Sequence, residues 1–125
     1  MGYRILVIED NEQNMYLMQF LLTAKDHVVI QAMNGEEGIA RAQDSDPDII
    51  LLDIQLPGMD GYEIARVIRA TPGLAEIPII AVTSYAMAGD REKILAAGAT
   101  DYIEKPINPA TFTDQISVHF PASGK

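Results

Sequence analysis

Apolar residues along this chain fall into two alternating patterns. Short continuous runs at Ile5–Ile8, Val28–Ala32, Ile49–Leu52, Ile79–Val82 and, more weakly, Tyr102–Ile103 are rich in β-branched residues and predict five strands. Between them the apolar positions recur in steps of three and four. Met15, Met18, Leu21 and Leu22 form one such stripe, Ile64 and Ile68 another, with Ile94–Leu95 and the pair Phe112 and Ile116 further on. Helix punctuation agrees with this reading. Asn34 with Glu37 and Asp60 with Glu63 have capping-box spacing, Asn108–Pro109 reads as a cap followed by proline at the first helical position, and Gly98 reads as a helix stop. Fivefold alternation of strand and helix implies a parallel sheet covered by helices on both faces. A run such as Ile49–Leu52 suits a strand buried on both sides, yet it leads straight into Asp53.

Length and charge narrow the function. At 125 residues the chain is one domain's worth, expected over 1–121 with a loose tail at 122–125. Nine basic against eighteen acidic residues give a formal net charge of -9. That argues against direct binding to nucleic acid or to an anionic membrane. With no cysteine there is neither disulfide nor thiolate chemistry. No apolar stretch approaches the roughly 18 residues of a membrane span, and the first ten residues do not form a signal peptide. A cytoplasmic location is expected.

In a doubly wound sheet, ligands bind outside the carboxyl ends of the strands. Strand one ends in Glu9 and Asp10, strand three in Asp53, strand four in Thr83–Ser84, and strand five runs into Glu104–Lys105–Pro106. If strands one and three are neighbours, three carboxylates converge. Two of them about 5 Å apart repel by roughly 3 kcal/mol at an effective dielectric of about 20. A hard divalent cation such as Mg²⁺ removes that cost, and a lysine beside it suits a phosphoryl group. Each residue alone has a plainer reading: Asp10 as a helix N-cap with Gln13 three residues on, Glu9 as a solvated charge, Asp53 as a turn acid, Thr83 as a strand-end hydroxyl, Lys105 as a surface lysine. Their joint placement at one rim of the sheet favours a site.

The motifs "ILVIEDN", "PDIILLDIQLPGMDG", "PIIAVTSYA" and "GATDYIEKPI", in this order and spacing, resemble the receiver domain of two-component response regulators over essentially the whole chain. The resemblance implies a CheY-like, flavodoxin-like α/β fold with strand order 2-1-3-4-5 and five helices. It implies that Asp53 is the phosphoacceptor, taking a phosphoryl group from a histidine kinase or phosphotransfer protein. Glu9 (through water), Asp10, Asp53 and the backbone carbonyl of Gln55 would hold Mg²⁺. Lys105 and Thr83 would stabilise the phosphoryl group, and Thr83 with Tyr102 would form the switch that alters the surface of helix four, strand five and helix five. Pro106 would make a cis peptide with Lys105, although either isomer is compatible with the sequence. The run "EDNEQNMYLMQFLL" is also similar to single-domain regulators of the DivK kind and to receivers attached to hybrid kinases.

Glu9 stands where many members have Asp, and Gln55 where others carry Met or Asn, so a water attacking the phosphoryl group could be oriented or obstructed there. No output domain is expected to follow, so the signal would pass by protein contact to a downstream target, and the domain is expected to be a phosphoacceptor rather than an enzyme. Rival readings fare worse. A haloacid-dehalogenase-like phosphotransferase wants an acid where Gln55 stands. A flavin-binding domain wants a Ser/Thr/Gly-rich loop where the chain has "EDNEQNM". The strongest alternative is a receiver-like binding module that works without phosphorylation; such modules usually lack one of the residues that Asp10, Asp53, Thr83 and Lys105 supply here.

Overall fold

The computed structural model describes residues 2–84 and 88–120. The tail expected at 122–125 and residues 85–86 of the third motif lie outside the described residues. Among the described residues ten elements alternate: β1 (Arg4–Ile8), α1 (Glu12–Thr23), β2 (Val28–Ala32), α2 (Gly35–Asp44), β3 (Ile49–Asp53), α3 (Gly61–Ala70), β4 (Ile79–Thr83), α4 (Ala88–Ala96), β5 (Asp101–Glu104) and α5 (Phe112–Ser117). The strands form one parallel sheet in the order β2-β1-β3-β4-β5, as expected. Successive strand residues point to opposite faces, and this divides the apolar runs between two cores. Leu6, Ile8, Ile50, Leu52, Ile79 and Ala81 pack with residues of α2, α3 and α4. Ile5, Val7, Ile49, Leu51, Ile80 and Val82 pack with Met15, Met18 and Leu22 of α1 and with Phe112 and Ile116 of α5. The continuous runs are therefore continuous because both faces are covered.

Local signals explain most boundaries. The side chains of Asn34 and Asp60 accept the amide hydrogens of Glu37 and Glu63, as the spacing predicts. Gly98, at φ +119°, ends α4 in a Schellman turn: its own N–H bonds to the Leu95 carbonyl and that of Ala99 to the Ile94 carbonyl. Two caps differ from expectation. The N-cap of α1 is Asn11, whose side chain accepts from Asn14 N–H at 2.8 Å, not Asp10. This shift by one residue leaves Asp10 at the sheet rim. Asn108 caps a turn rather than a helix: its side chain accepts from Ala110 N–H, and α5 begins only at Phe112.

Candidate functional site

Strand register assembles the site. Ile8 stands opposite Leu52, so Glu9 emerges level with Asp53; Asp53 in turn stands opposite Val82, one residue before Thr83. Thr83 pairs with Glu104, and the Thr83 carbonyl accepts the Lys105 N–H at 2.8 Å. Glu9, Asp10, Asp53, Thr83 and Lys105 thus come from the carboxyl ends of four adjacent strands. β1 lies between β2 and β3, so the chain's crossovers diverge there. This is the switch point at which such folds bind ligands.

Burial and charge are out of balance in the cluster. Glu9 is 0% and Asp53 3% exposed, while Asp10 faces solvent. One carboxylate oxygen from each lies within 4.8 Å of the others. Lys105 Nζ is 3.3 Å from Asp53 Oδ1 and 3.7 Å from Glu9 Oε1. One ammonium group therefore faces two buried carboxylates. Asp53 Oδ1 also accepts the Gln55 N–H (2.9 Å), and Glu9 Oε2 accepts the Asn11 N–H (3.1 Å). Glu9 Oε1, in contrast, is buried and accepts no hydrogen bond. Burial, and then the neighbouring Asp53 charge, push the Glu9 carboxyl from an ordinary 4.5 up to about 7, against the opposing pull of the Asn11 amide and Lys105. A hard divalent cation fits this donor set. It is all oxygen, it carries uncompensated negative charge, and it includes a buried oxygen that lacks a hydrogen-bond donor.

Thr83 is fully buried beneath this cluster. The Lys105–Pro106 peptide is cis. Tyr102 stands apart from the acids: it pairs in register with Ala81, is half-buried against the α2–α3–α4 core, and has Arg91 Cζ 5.6 Å from its ring centre. Three contacts were not anticipated from sequence: the Asn11 amide on Glu9, Arg91 over Tyr102, and the Gln55 side-chain oxygen accepting the Ser84 N–H at 2.8 Å. The first had only the signal that Asn11, like Asp10, is a good N-cap residue. The other two join residues far apart in the chain and had none.

Comparison with known proteins gives the family. Residues 5–117 match the family model of the response regulator receiver domain. The polar-differentiation response regulator DivK of Brucella anthropi is 41% identical over 112 residues, covering 90% of this chain and 91% of that protein. The chemotaxis response regulator CheY4 of Vibrio cholerae has a TM-score of 0.91 at 25% identity, over 96% of this chain and 100% of that one. The receiver domain of a Pseudomonas aeruginosa sensor histidine kinase was solved with a magnesium ion coordinated in its active site cleft. It has a TM-score of 0.87 at 35% identity, over 95% of this chain and 98% of that one.

Proposed function

This chain belongs to the response regulator receiver family, whose members are signalling domains, and on that premise we propose that Asp53 is its phosphoacceptor. The observation that carries the reading is a nearly buried Asp53 carboxylate with Lys105 Nζ at 3.3 Å and two further carboxylates beside it. A carboxylate oxygen of Asp53 attacks the phosphorus of a phosphohistidine on a kinase or phosphotransfer protein. The O–P bond forms as the P–N bond breaks, and the imidazole departs with the bonding pair. Lys105 holds positive charge beside the incoming phosphoryl oxygens, where transferred charge is greatest.

Glu9, Asp10, Asp53 and the backbone carbonyl of Gln55 would hold Mg²⁺, consistent with the magnesium in the Pseudomonas receiver. When bound, the cation supplies the positive charge that the three acids and the phosphoryl group jointly require. The Thr83 hydroxyl then donates to a phosphoryl oxygen, and Tyr102 moves into the space so opened. The face formed by α4, β5 and α5 thereby changes for a downstream protein. The phosphoryl group biases this equilibrium only through contacts that differ between the two states.

Intact-mass spectrometry after incubation with acetyl phosphate and Mg²⁺ tests the reading. The expected result is a single phosphoryl addition, stable in acid, lost in mild base and absent from Asp53→Asn. No addition from acetyl phosphate or from a phosphorylated histidine kinase would leave the phosphorylation-independent binding module as the better account.

A further inference from the structure

Gln55 touches both halves of the site at once. Its main-chain N–H donates to Asp53 Oδ1 at 2.9 Å, and its side-chain oxygen accepts the Ser84 N–H at 2.8 Å. Ser84 is exposed and directly follows the buried Thr83. The contact spans 29 residues and bridges the loop after β3 to the turn after β4. An exposed amide needs no protein acceptor, because water satisfies it equally well. The bond therefore restrains position rather than rescuing a stranded donor.

We propose that the Gln55 side chain is a latch that holds the Thr83–Ser84 turn in the unphosphorylated position and so sets the equilibrium between resting and activated states. The proposal rests on Asp53 being the phosphoacceptor. The Ser84 amide carries a single hydrogen, and in the resting chain Gln55 Oε1 holds it. A phosphoryl group on Asp53 presents charged oxygens to the same turn, and charged acceptors form the stronger hydrogen bonds. A phosphoryl oxygen that takes the Ser84 hydrogen displaces Gln55 Oε1 from it. The strength of the Gln55 bond subtracts from what phosphorylation can drive. A neutral hydrogen bond of ordinary net worth corresponds to roughly a three- to tenfold change in such an equilibrium. A residue of another type at this position sets a different resting population without altering the acids, Thr83 or Lys105.

The test uses the full chain with Gln55→Met, which keeps length and bulk but removes the acceptor oxygen, and Gln55→Glu, which keeps an oxygen at the same reach. Amide hydrogen exchange followed by NMR in the unphosphorylated protein is the first readout. Exchange at Ser84 is expected to quicken about three- to tenfold in Gln55→Met, with β1 and β3 amides unchanged, and to return toward the wild-type rate in Gln55→Glu. The second readout is the initial rate of phosphoryl uptake from acetyl phosphate with Mg²⁺, expected to rise by a similar factor in Gln55→Met because the competent state is more populated. Unchanged Ser84 exchange, or quickened exchange throughout the sheet, overturns the latch. Quickened Ser84 exchange without faster uptake overturns it as a switch and leaves a passive contact. If wild-type protein takes up no phosphoryl group, the phosphoacceptor reading fails and the latch with it. Uptake by the wild type with no gain in the variant sinks the latch alone.

Discussion

At the residue scale, Glu9 concentrates the site's cost. Its side chain is fully buried, one oxygen lacks a donor, and its carboxyl is raised to about 7. A carboxyl whose pKa is higher in the folded chain stabilises the fold fully below its ordinary 4.5, and that stability is lost as pH rises through about 7. The metal-free protein should therefore lose up to about 3 kcal/mol from this group between pH 4.5 and pH 8. His27 tilts the other way. Burial lowers its pKa below 6.5, so its contribution is present above that value and lost as pH falls. The difference between wild type and Glu9→Gln cancels the His27 part. In metal-free urea titrations, Glu9→Gln should flatten the decline between pH 5 and pH 8; parallel pH profiles for the two proteins would rule out this role for Glu9.

At the scale of elements, Arg69 joins two connections. From α3 its guanidinium donates to the carbonyls of Gly98 (2.8 Å) and Ala75 (3.2 Å), to that of Ile77, and to Thr100 Oγ1 (3.3 Å). It thereby pins the segment before β4 and the turn between α4 and β5. Gly98 makes this approach possible. A Cβ there would sit 2.6 Å from Arg69 Cγ, on a backbone at φ +119° that side chains rarely adopt. Arg69→Ala should cost about 2–4 kcal/mol by stranding partly buried carbonyls. Arg69→Lys should recover little, because one ammonium group cannot serve a fork of acceptors. Gly98→Ala should cost about 1–3 kcal/mol from backbone strain and the clash. Since Arg69→Ala removes the clashing Cγ, the double mutant should be less destabilised than the sum of the two; strict additivity in denaturant unfolding would refute the contact.

At the scale of the whole molecule, the acid cluster sets local stability against function. Removing one charge without disturbing the packing should help the metal-free fold, so Asp53→Asn should raise its unfolding midpoint, with a gain in unfolding free energy of about 1 kcal/mol after allowing for the lost Lys105 pair. Mg²⁺ should reverse the order. A ligand at ten times its dissociation constant adds about 1.4 kcal/mol, and wild type should gain more of this than the variant. Thermal unfolding of both proteins with EDTA and with Mg²⁺ measures the crossover. An Asp53→Asn midpoint at or below wild type in EDTA would argue against close carboxylate repulsion. Beyond the site, no helix among the described residues is long and apolar enough to cross a membrane.

The run Ile49–Leu52 shows how much was legible in advance. Alternation, caps and apolar runs depend on neighbours a few residues apart, so strand and helix positions, the parallel sheet and the Gly98 stop could be read directly. Even so, Asn11 rather than Asp10 caps α1, because both are good caps and only the backbone chooses between them. The acids could be assigned to strand ends from sequence, and the family from the spacing of its motifs. Their mutual distances could not, because register between β1, β3 and β4 is a property of chain segments roughly 25 to 45 residues apart. Only the packed sheet brings Lys105 Nζ to 3.3 Å from Asp53 and strands Glu9 Oε1 without a donor. The same holds for Gln55 on Ser84, 29 residues away: local propensity acts along the chain, whereas this contact exists only once β3 and β4 lie side by side.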